Sequence, residues 1–257
     1  MIKTENISYS INNKLLLDQI SLEFQPNEIS MILGPNGAGK STLIKLLSNQ
    51  IKADEGKIMN NGNELQNISQ KELAKTQAVL SQNIHMVFPM KVEEVVMMGR
   101  YPHFSSKAEK NDREIGHEAM KLFQVEEMAK RNYLTLSGGE KQRVHFARVA
   151  AQIWPDGMQQ PKILLLDEPL TYLDIFHQFD FMDKLKAMMQ EQPMTIIGVL
   201  HDLNLAYKYS DQVIFLKSGK VFSQGKKEDV FTTSSLKEVF NLNAKFILNE
   251  GVRHLLF

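Results

Sequence analysis

Cysteine is absent from the 257 residues. Its absence excludes disulfides, thiolate metal sites and thiol nucleophiles, and it agrees with a reducing compartment. A charge excess of either sign is missing too. Thirty Lys+Arg balance 30 Asp+Glu, for a formal net charge of +0, so electrostatics gives no reason to expect a nucleic-acid partner. Long hydrophobic runs are scarce. "ILLL" (163–166) and "TIIGVL" (195–200) are strand-sized, and neither is expected to span a bilayer. The start, "MIKTENISYS", has no apolar stretch of signal-peptide length, so a soluble cytoplasmic chain is the expectation. No internal repeat or low-complexity segment stands out. What remains is ordinary globular composition, 43% hydrophobic and 23% charged, in a chain long enough for one large domain with a real core.

The first third reads as short strands and turns: "NISYSI", "QISLEF", "ISMILG", then "GKIMNNG", whose Asn-Gly is a turn signal. "KSTLIKLLSN" has helical apolar spacing directly after a Gly-rich turn. Residues 84–135 turn Met-rich and helical in pattern. "KILLLD" (162–167) and "MTIIGVLH" (194–201) are continuous apolar strands, each followed by helical sequence. Short all-apolar strands alternating with helices imply an α/β core whose mostly parallel sheet is covered on both faces. The expected organisation is one domain: a core over about 1–83 and 146–222, a helical insertion over about 84–145, and a tail from about 223 to 257.

"GPNGAGKS" matches the phosphate loop G-x-x-x-x-G-K-[ST], between a strand and a helix as the chemistry requires. Gly34, Pro35, Asn36, Gly37, Ala38 and Gly39 form the loop, whose backbone N–H groups wrap phosphates while the helix N-terminus adds positive dipole. Lys40 is expected to reach the β- and γ-phosphates, Ser41 to hold Mg²⁺, and Thr42 to approach the α-phosphate. "ILLLDEP" ends a buried strand in two carboxylates. Alternation along a strand would point them to opposite sides, leaving Asp167 for the metal side and Glu168 as general base to the attacking water. Either carboxylate alone could equally be a polar strand end meeting solvent. His201 closes the second apolar strand, at the carboxyl edge where open α/β sheets bind ligands. Gln82 follows a strand-like "AVL" and by itself is an ordinary loop amide.

"GPNGAGKST", Gln82, "LSGGE" (136–140), "ILLLDE" and His201 occur in the order and spacing of the ATP-binding cassette (ABC) ATPases, which the whole chain resembles. The resemblance implies a P-loop NTPase fold: a mostly parallel core sheet, an N-terminal antiparallel β piece and a helical insertion. It also implies why one chain carries two anion-binding helix starts. Two cassettes sit head to tail, and Ser137, Gly138 and Gly139 of one cap the γ-phosphate held by the other's phosphate loop. ATP and Mg²⁺ are the implied cofactors, with Ser41, Gln82 and Asp167 toward the metal and Glu168, His201 and Gln82 toward catalysis. Two departures stand out. The family's adenine-stacking aromatic falls at Ile11 by spacing, with Tyr9 as the other candidate. "EPLTYLD" puts Leu170, Thr171 and Tyr172 where smaller or more polar residues are usual, while Asp174 is kept for a cross-dimer contact.

Within the family, "SQNIHMVFPMKVEEVVMMGRYPHF", "ARVAAQIWP", "YLDIFHQ" and "LHDLNLAYKYSD" resemble ATPase subunits of importers for iron-siderophores, haem and cobalamin, haem importers most of all. That likeness implies a homodimer, or a pairing with another cassette, on the cytoplasmic face of the cell membrane, a transmembrane permease dimer above it, and a periplasmic or surface substrate-binding protein engaged indirectly. Siderophore or cobalamin import is the alternative cargo, and a soluble non-transport ABC ATPase the alternative class. Met86, Met90, Met97 and Met98 beside His85 are expected to be pliable packing residues rather than haem ligands. The same stretch, from Gln82 to Phe104, is where a permease helix is expected to dock. A P-loop GTPase or kinase would leave "LSGGE" unexplained, and no Asn-Lys-x-Asp guanine signature is present. A non-hydrolytic regulator would be expected to lack Glu168 or His201.

Overall fold

The computed structural model describes residues 1–81, 86–155, 161–249 and 252–256. They form two compact units. The first comprises residues 1–68 and 195–257, and the second residues 69–194.

The first unit opens with β1 (Ile2–Ile11), β2 (Lys14–Phe24), β3 (Ile29–Leu33), α1 (Lys40–Leu47), β4 (Glu55–Asn60) and β5 (Asn63–Glu64). β1 and β2 are one antiparallel hairpin, with Ile11 opposite Lys14. Its turn residues Asn12 and Asn13 have φ of 49° and 62°, the left-handed pair that matches strand twist in a tight hairpin. β4 joins the outer edge of β1, giving the order β2-β1-β4-β5, the expected N-terminal antiparallel piece. On β2, Leu17, Ile20, Leu22 and Phe24 are buried while Gln19, Ser21 and Glu23 are exposed, so one face packs and the other is solvated.

The second unit holds α2 (Gln70–Thr76), β6 (Gln77–Leu80), α3 (Val92–Met97), α4 (Lys110–Leu122), α5 (Gly138–Gln152), β7 (Lys162–Asp167) and α6 (Ile175–Glu191). The expected helical character of the stretch before the signature appears at residues 92–103 and 110–122 and in two short turns, while 86–91 and 104–109 are not helical. β6 and β7 run parallel. Every residue of β7 is buried, including Lys162, whose Nζ donates to the Lys75 carbonyl at 3.1 Å. The core is aromatic: Phe146 stacks on Phe181 with ring centres 3.7 Å apart, and Phe123 lies 5.7 Å from Phe146.

The chain returns to the first unit through β8 (Met194–Val199), α7 (Leu203–Tyr209), β9 (Gln212–Lys217), β10 (Lys220–Lys226), α8 (Lys227–Val230), α9 (Thr233–Phe240), β11 (Lys245–Asn249) and β12 (Val252–Leu256). β3 lies between β8 and β9, parallel to both, and β10 closes antiparallel on β9. β3 is buried along its whole length, as an interior parallel strand must be. The tail does end in helix and strand. The β11–β12 hairpin is tied to α7 by Asn204, whose side chain donates to the Leu255 carbonyl at 3.1 Å and accepts from its N–H at 2.9 Å.

Candidate functional site: two helix starts and a carboxylate turn

In the first unit, β3 runs straight into the phosphate loop, and α1 begins at Lys40. Gly37 and Gly39 have φ of 79° and 100°, a region that costs a side-chain-bearing residue strain. At Gly39 a Cβ would also stand 2.6 Å from Leu17 Cδ2, so β2 packs too close for any other residue. Gly39 supplies no side-chain cap, and the first turn of α1 carries no acidic residue. The helix start therefore keeps its positive dipole end uncompensated by its own side chains. Lys40 is 5% exposed, and its Nζ donates to the carbonyls of Gly34 at 2.8 Å and Pro35 at 3.0 Å. The ammonium is folded over the loop it would serve. Ser41 and Thr42 are half-buried in the first turn.

His201 lies two residues past the end of β8, exposed, just ahead of Asp202, which caps α7 by accepting from Leu205 N–H at 2.9 Å. The strand stops at Val199, short of the expected His201, because the cap of α7 already takes the chain at Asp202. Tyr9 is half-buried and Ile11 is 47% exposed on β1.

In the second unit, β7 ends at Asp167, which is 7% exposed. Glu168 does not continue the strand: its φ is +51°. The expected alternation is thus not what separates the two carboxylates. A left-handed turn does it, the kind of unfavourable backbone that functional sites retain. The turn is stitched by Thr171 Oγ1 donating to the Glu168 carbonyl at 3.1 Å. Asp174 then caps α6, accepting from the His177 N–H at 2.9 Å, and Tyr172 is 58% exposed, a bulky surface where the sequence suggested one.

Ser137 caps α5 in a reciprocal capping box: Oγ accepts from Glu140 N–H at 3.3 Å, and Glu140 Oε2 accepts from Ser137 N–H at 2.7 Å. The Ser137 N–H and hydroxyl, with Arg131 behind them, hold the Glu140 carboxyl below the usual carboxylate range. Gly138 is exposed and Gly139 half-buried. Behind the signature, the Tyr133 hydroxyl and His145 Nε2 share a buried 2.7 Å hydrogen bond. Burial, helped by the Arg148 charge, pushes the His145 imidazole down to about 3. Gln142 Nε2 donates to the Pro169 carbonyl at 2.6 Å, joining the signature helix to the residue after Glu168.

Gln82 and His85 fall outside the described residues. Val87 and Phe88 are 74% and 73% exposed. Nearby, a groove of about 550 Å³ is lined by Met90, Met97, Tyr101, Phe104 and Met120, with Glu93 and Glu94 among its polar residues. The methionines Met90 and Met97 line a surface, and among the described residues no cluster of three or more His, Cys, Asp or Glu could hold a metal ion. Arg100 and Asp112 pair at 3.0 Å, both buried, and Arg100 Nη1 also donates to the Ala151 carbonyl of α5 at 2.8 Å. Sequence reasoning missed this pair, the Tyr133–His145 bond and the Gln142 link, since none belongs to a motif with a phosphate-binding reason.

Residues 17–171 match the family described as ABC transporter, and the chain belongs to that family. It is 40% identical to the hemin import ATP-binding protein HmuV of Escherichia coli O157:H7 over 254 residues, 99% of this chain and 97% of that one. It is 41% identical to the protein of the same name from Gloeobacter violaceus, over 94% of this chain and 88% of that one. A metal-chelate type ABC transporter in an inward-facing conformation shares the fold at a TM-score of 0.82 and 24% identity, over 99% of this chain and 96% of that one. A dimeric post-hydrolysis cassette, MJ0796 bound to ADP and Pi, aligns at a TM-score of 0.76 and 25% identity, over 88% and 99% of the two chains. The chain is an ABC ATPase with an α/β fold.

Proposed function

We propose that this chain is the ATP-hydrolysing subunit of a haem importer, working as a head-to-tail pair of identical chains under a permease dimer at the cytoplasmic face of the cell membrane. The observation that carries the ATPase reading is the start of α1: capless, free of acidic residues in its first turn, and overlaid by Lys40. An anion is the ligand such a start accommodates. Residues 34–42 wrap the phosphates of ATP, and Lys40 exchanges its two loop carbonyls for phosphate oxygens. Glu168 acts as general base to the attacking water, and His201 contacts the γ-phosphate. Ser137, Gly138 and Gly139 act on the partner's nucleotide, and Asp174 makes a cross-dimer contact.

Mg²⁺ fits the donor chemistry: the Ser41 hydroxyl, the Gln82 amide oxygen and the Asp167 carboxylate are hard oxygen ligands. When bound, the ion neutralises charge on the β- and γ-phosphates. No helix among the described residues is long and apolar enough to cross a membrane; in this reading attachment is through the permease. The groove lined by Met90, Met97, Tyr101, Phe104 and Met120 takes a short permease helix, with the exposed Val87 and Phe88 beside it in sequence. Met-lined surfaces repack around a helix at little cost. Haem as cargo is supported by the HmuV relatives; this subunit does not touch the cargo, and the substrate-binding protein meets it only through the permease.

The test is genetic and enzymatic. Cells should need this gene to grow on haem as sole iron source and not on ferric siderophores; the reverse pattern reassigns the cargo. Glu168→Gln should bind ATP yet lose turnover by about 10²–10⁴-fold, leaving a nucleotide-dependent dimer on a sizing column. Turnover at the native rate removes Glu168 from the base role.

A further inference from the structure

His177, at the start of α6, was not among the residues the sequence singled out, yet it joins two segments that the proposed function places against the partner cassette. Its Nδ1 lies 2.9 and 3.0 Å from the two carboxylate oxygens of Asp174. Its Nε2 lies 2.9 Å from Arg143 Nη1, on the signature helix α5. Arginine is always protonated and can only donate, so Nε2 must accept. The ring is then the neutral Nδ1–H tautomer, and that proton goes to Asp174. The result is a directed chain, from the Arg143 guanidinium to the imidazole and on to the Asp174 carboxylate.

Both ends of this chain carry charge, which makes each bond stronger than a neutral pair. Asp174 also accepts from the His177 backbone N–H at 2.9 Å, so one carboxylate is held by one residue through main chain and ring. The His177 backbone N–H and then its ring keep the Asp174 carboxyl below the usual carboxylate range. The Phe176 ring stands edge-on to the imidazole at 5.3 Å. At the other end, Arg143 Nε is buried with no hydrogen-bond partner among the described residues, so the guanidinium is oriented by what its Nη1 reaches. Gln142, next in the same helix, makes the second tie through the Pro169 carbonyl at 2.6 Å. The start of α5 and the Glu168–Asp174 turn are therefore fastened at both ends of the turn.

We infer that His177 is a positioning residue that locks Asp174 to the signature helix, so that Ser137 and Asp174 close on the partner cassette as one rigid surface. This rests on the proposed head-to-tail ATPase. His177 touches no nucleotide; it sets how well the trans surface is formed before the partner arrives, and so acts on dimer closure rather than on ATP capture by a single chain.

The experiment separates those two steps. His177→Ala, His177→Asn and His177→Gln are compared with the native chain for affinity toward a fluorescent ATP analogue in the isolated chain, for kcat and KM, and for ATP-driven dimerisation in the Glu168→Gln background. Asn keeps a group near Nδ1 and Gln one near Nε2, so each retains one arm of the chain. The expected result is a loss of about tenfold in kcat and in dimer affinity for His177→Ala, the weight of one charge-assisted bond, with analogue affinity unchanged. Asn and Gln should each fall short of the native value, and Arg143→Lys, which keeps the charge but not the planar fork, should reproduce the loss. Native kcat and dimer affinity in His177→Ala overturn the inference, as does full rescue by Asn, which would leave His177 a mere helix-cap partner. An equal loss of analogue affinity also overturns it. A native chain that neither hydrolyses ATP nor dimerises as Glu168→Gln sinks the ATPase reading instead, so the two failures are distinguishable.

Discussion

The starts of α1 and α5 are both Gly-rich turns into a helix, and both are proposed phosphate sites, yet they are finished in opposite ways. α1 has no side-chain cap and no acid in its first turn, and a lysine is folded over it. α5 is capped by Ser137, closed by Glu140, and backed by Arg131, 3.2 Å from that carboxylate. A start left open in the single chain is a site that must take its ligand alone. A start already satisfied suits the proposed role, in which a ready-shaped cap meets a ligand carried by a second cassette. Ser137 Oγ accepts from Glu140 N–H, and its hydroxyl and N–H face the Glu140 carboxylate, so the cap fixes where the hydroxyl sits before any ligand arrives.

The sharpest way to break that comparison is to disable each start separately. Lys40→Ala should cut turnover by about 10²–10³-fold, the scale of a lost charge-stabilising donor, and weaken ATP-analogue binding by the isolated chain. Ser137→Arg should lose comparable turnover while the isolated chain binds the analogue as before. Equal weakening of analogue binding in Ser137→Arg would collapse the distinction. A mixture of the two variants rebuilds one native loop facing one native signature, and it should regain part of the activity that neither shows alone.

A smaller effect lies behind α5. The folded His145 is held at about 3, while in the unfolded chain the imidazole takes up a proton at its ordinary 6.5. The unfolded state therefore binds more protons between those values. Stability is complete above about 6.5 and falls as pH drops, by about 2 kcal/mol at pH 5. Denaturant unfolding at pH 7 and pH 5 measures it, and His145→Gln should flatten the difference. An unchanged slope in that variant assigns the acid sensitivity to other groups. The smallest expected effect is Glu140→Gln, which removes the carboxylate from the start of α5 and makes it resemble α1. A stability loss of about 0.5–1 kcal/mol is expected, with ATP-analogue affinity of the isolated chain unchanged; a thermal melt and a binding titration check both.

Much of this was legible from residues whose chemistry and backbone demand coincide. "GPNGAGKST" and "KILLLD" fall where strand, turn and helix were expected, and Asn61-Gly62 is a tight turn with φ of 49° and 82°. Glu168 shows where such reading stops. Alternation assumes the strand continues, and a positive φ on a glutamate has no local signal in sequence. The β1–β2 hairpin did have one: Asn12-Asn13 is a turn pair, but the polar positions around it hid how far each strand extends toward it. His177 and Arg143 are 34 residues apart, and no local pattern announces a bond at that separation.

The order of the two units along the chain has a consequence for how the molecule is made. Residues 69–194 are one uninterrupted run, whereas the other unit needs both 1–68 and 195–257. β3 is synthesised early, but its neighbours come late: Ile29 lies opposite Ile196, and Ser30 opposite Gln212. On a translating ribosome the inserted unit is complete while the "ISMIL" strand, buried along its whole length in the finished fold, still has neither partner strand. Pairings of such sequence separation are the slow ones, and unpaired apolar strands are what aggregation recruits. The nascent chain thus carries its phosphate loop on an unfinished sheet until the last quarter of its length is being made.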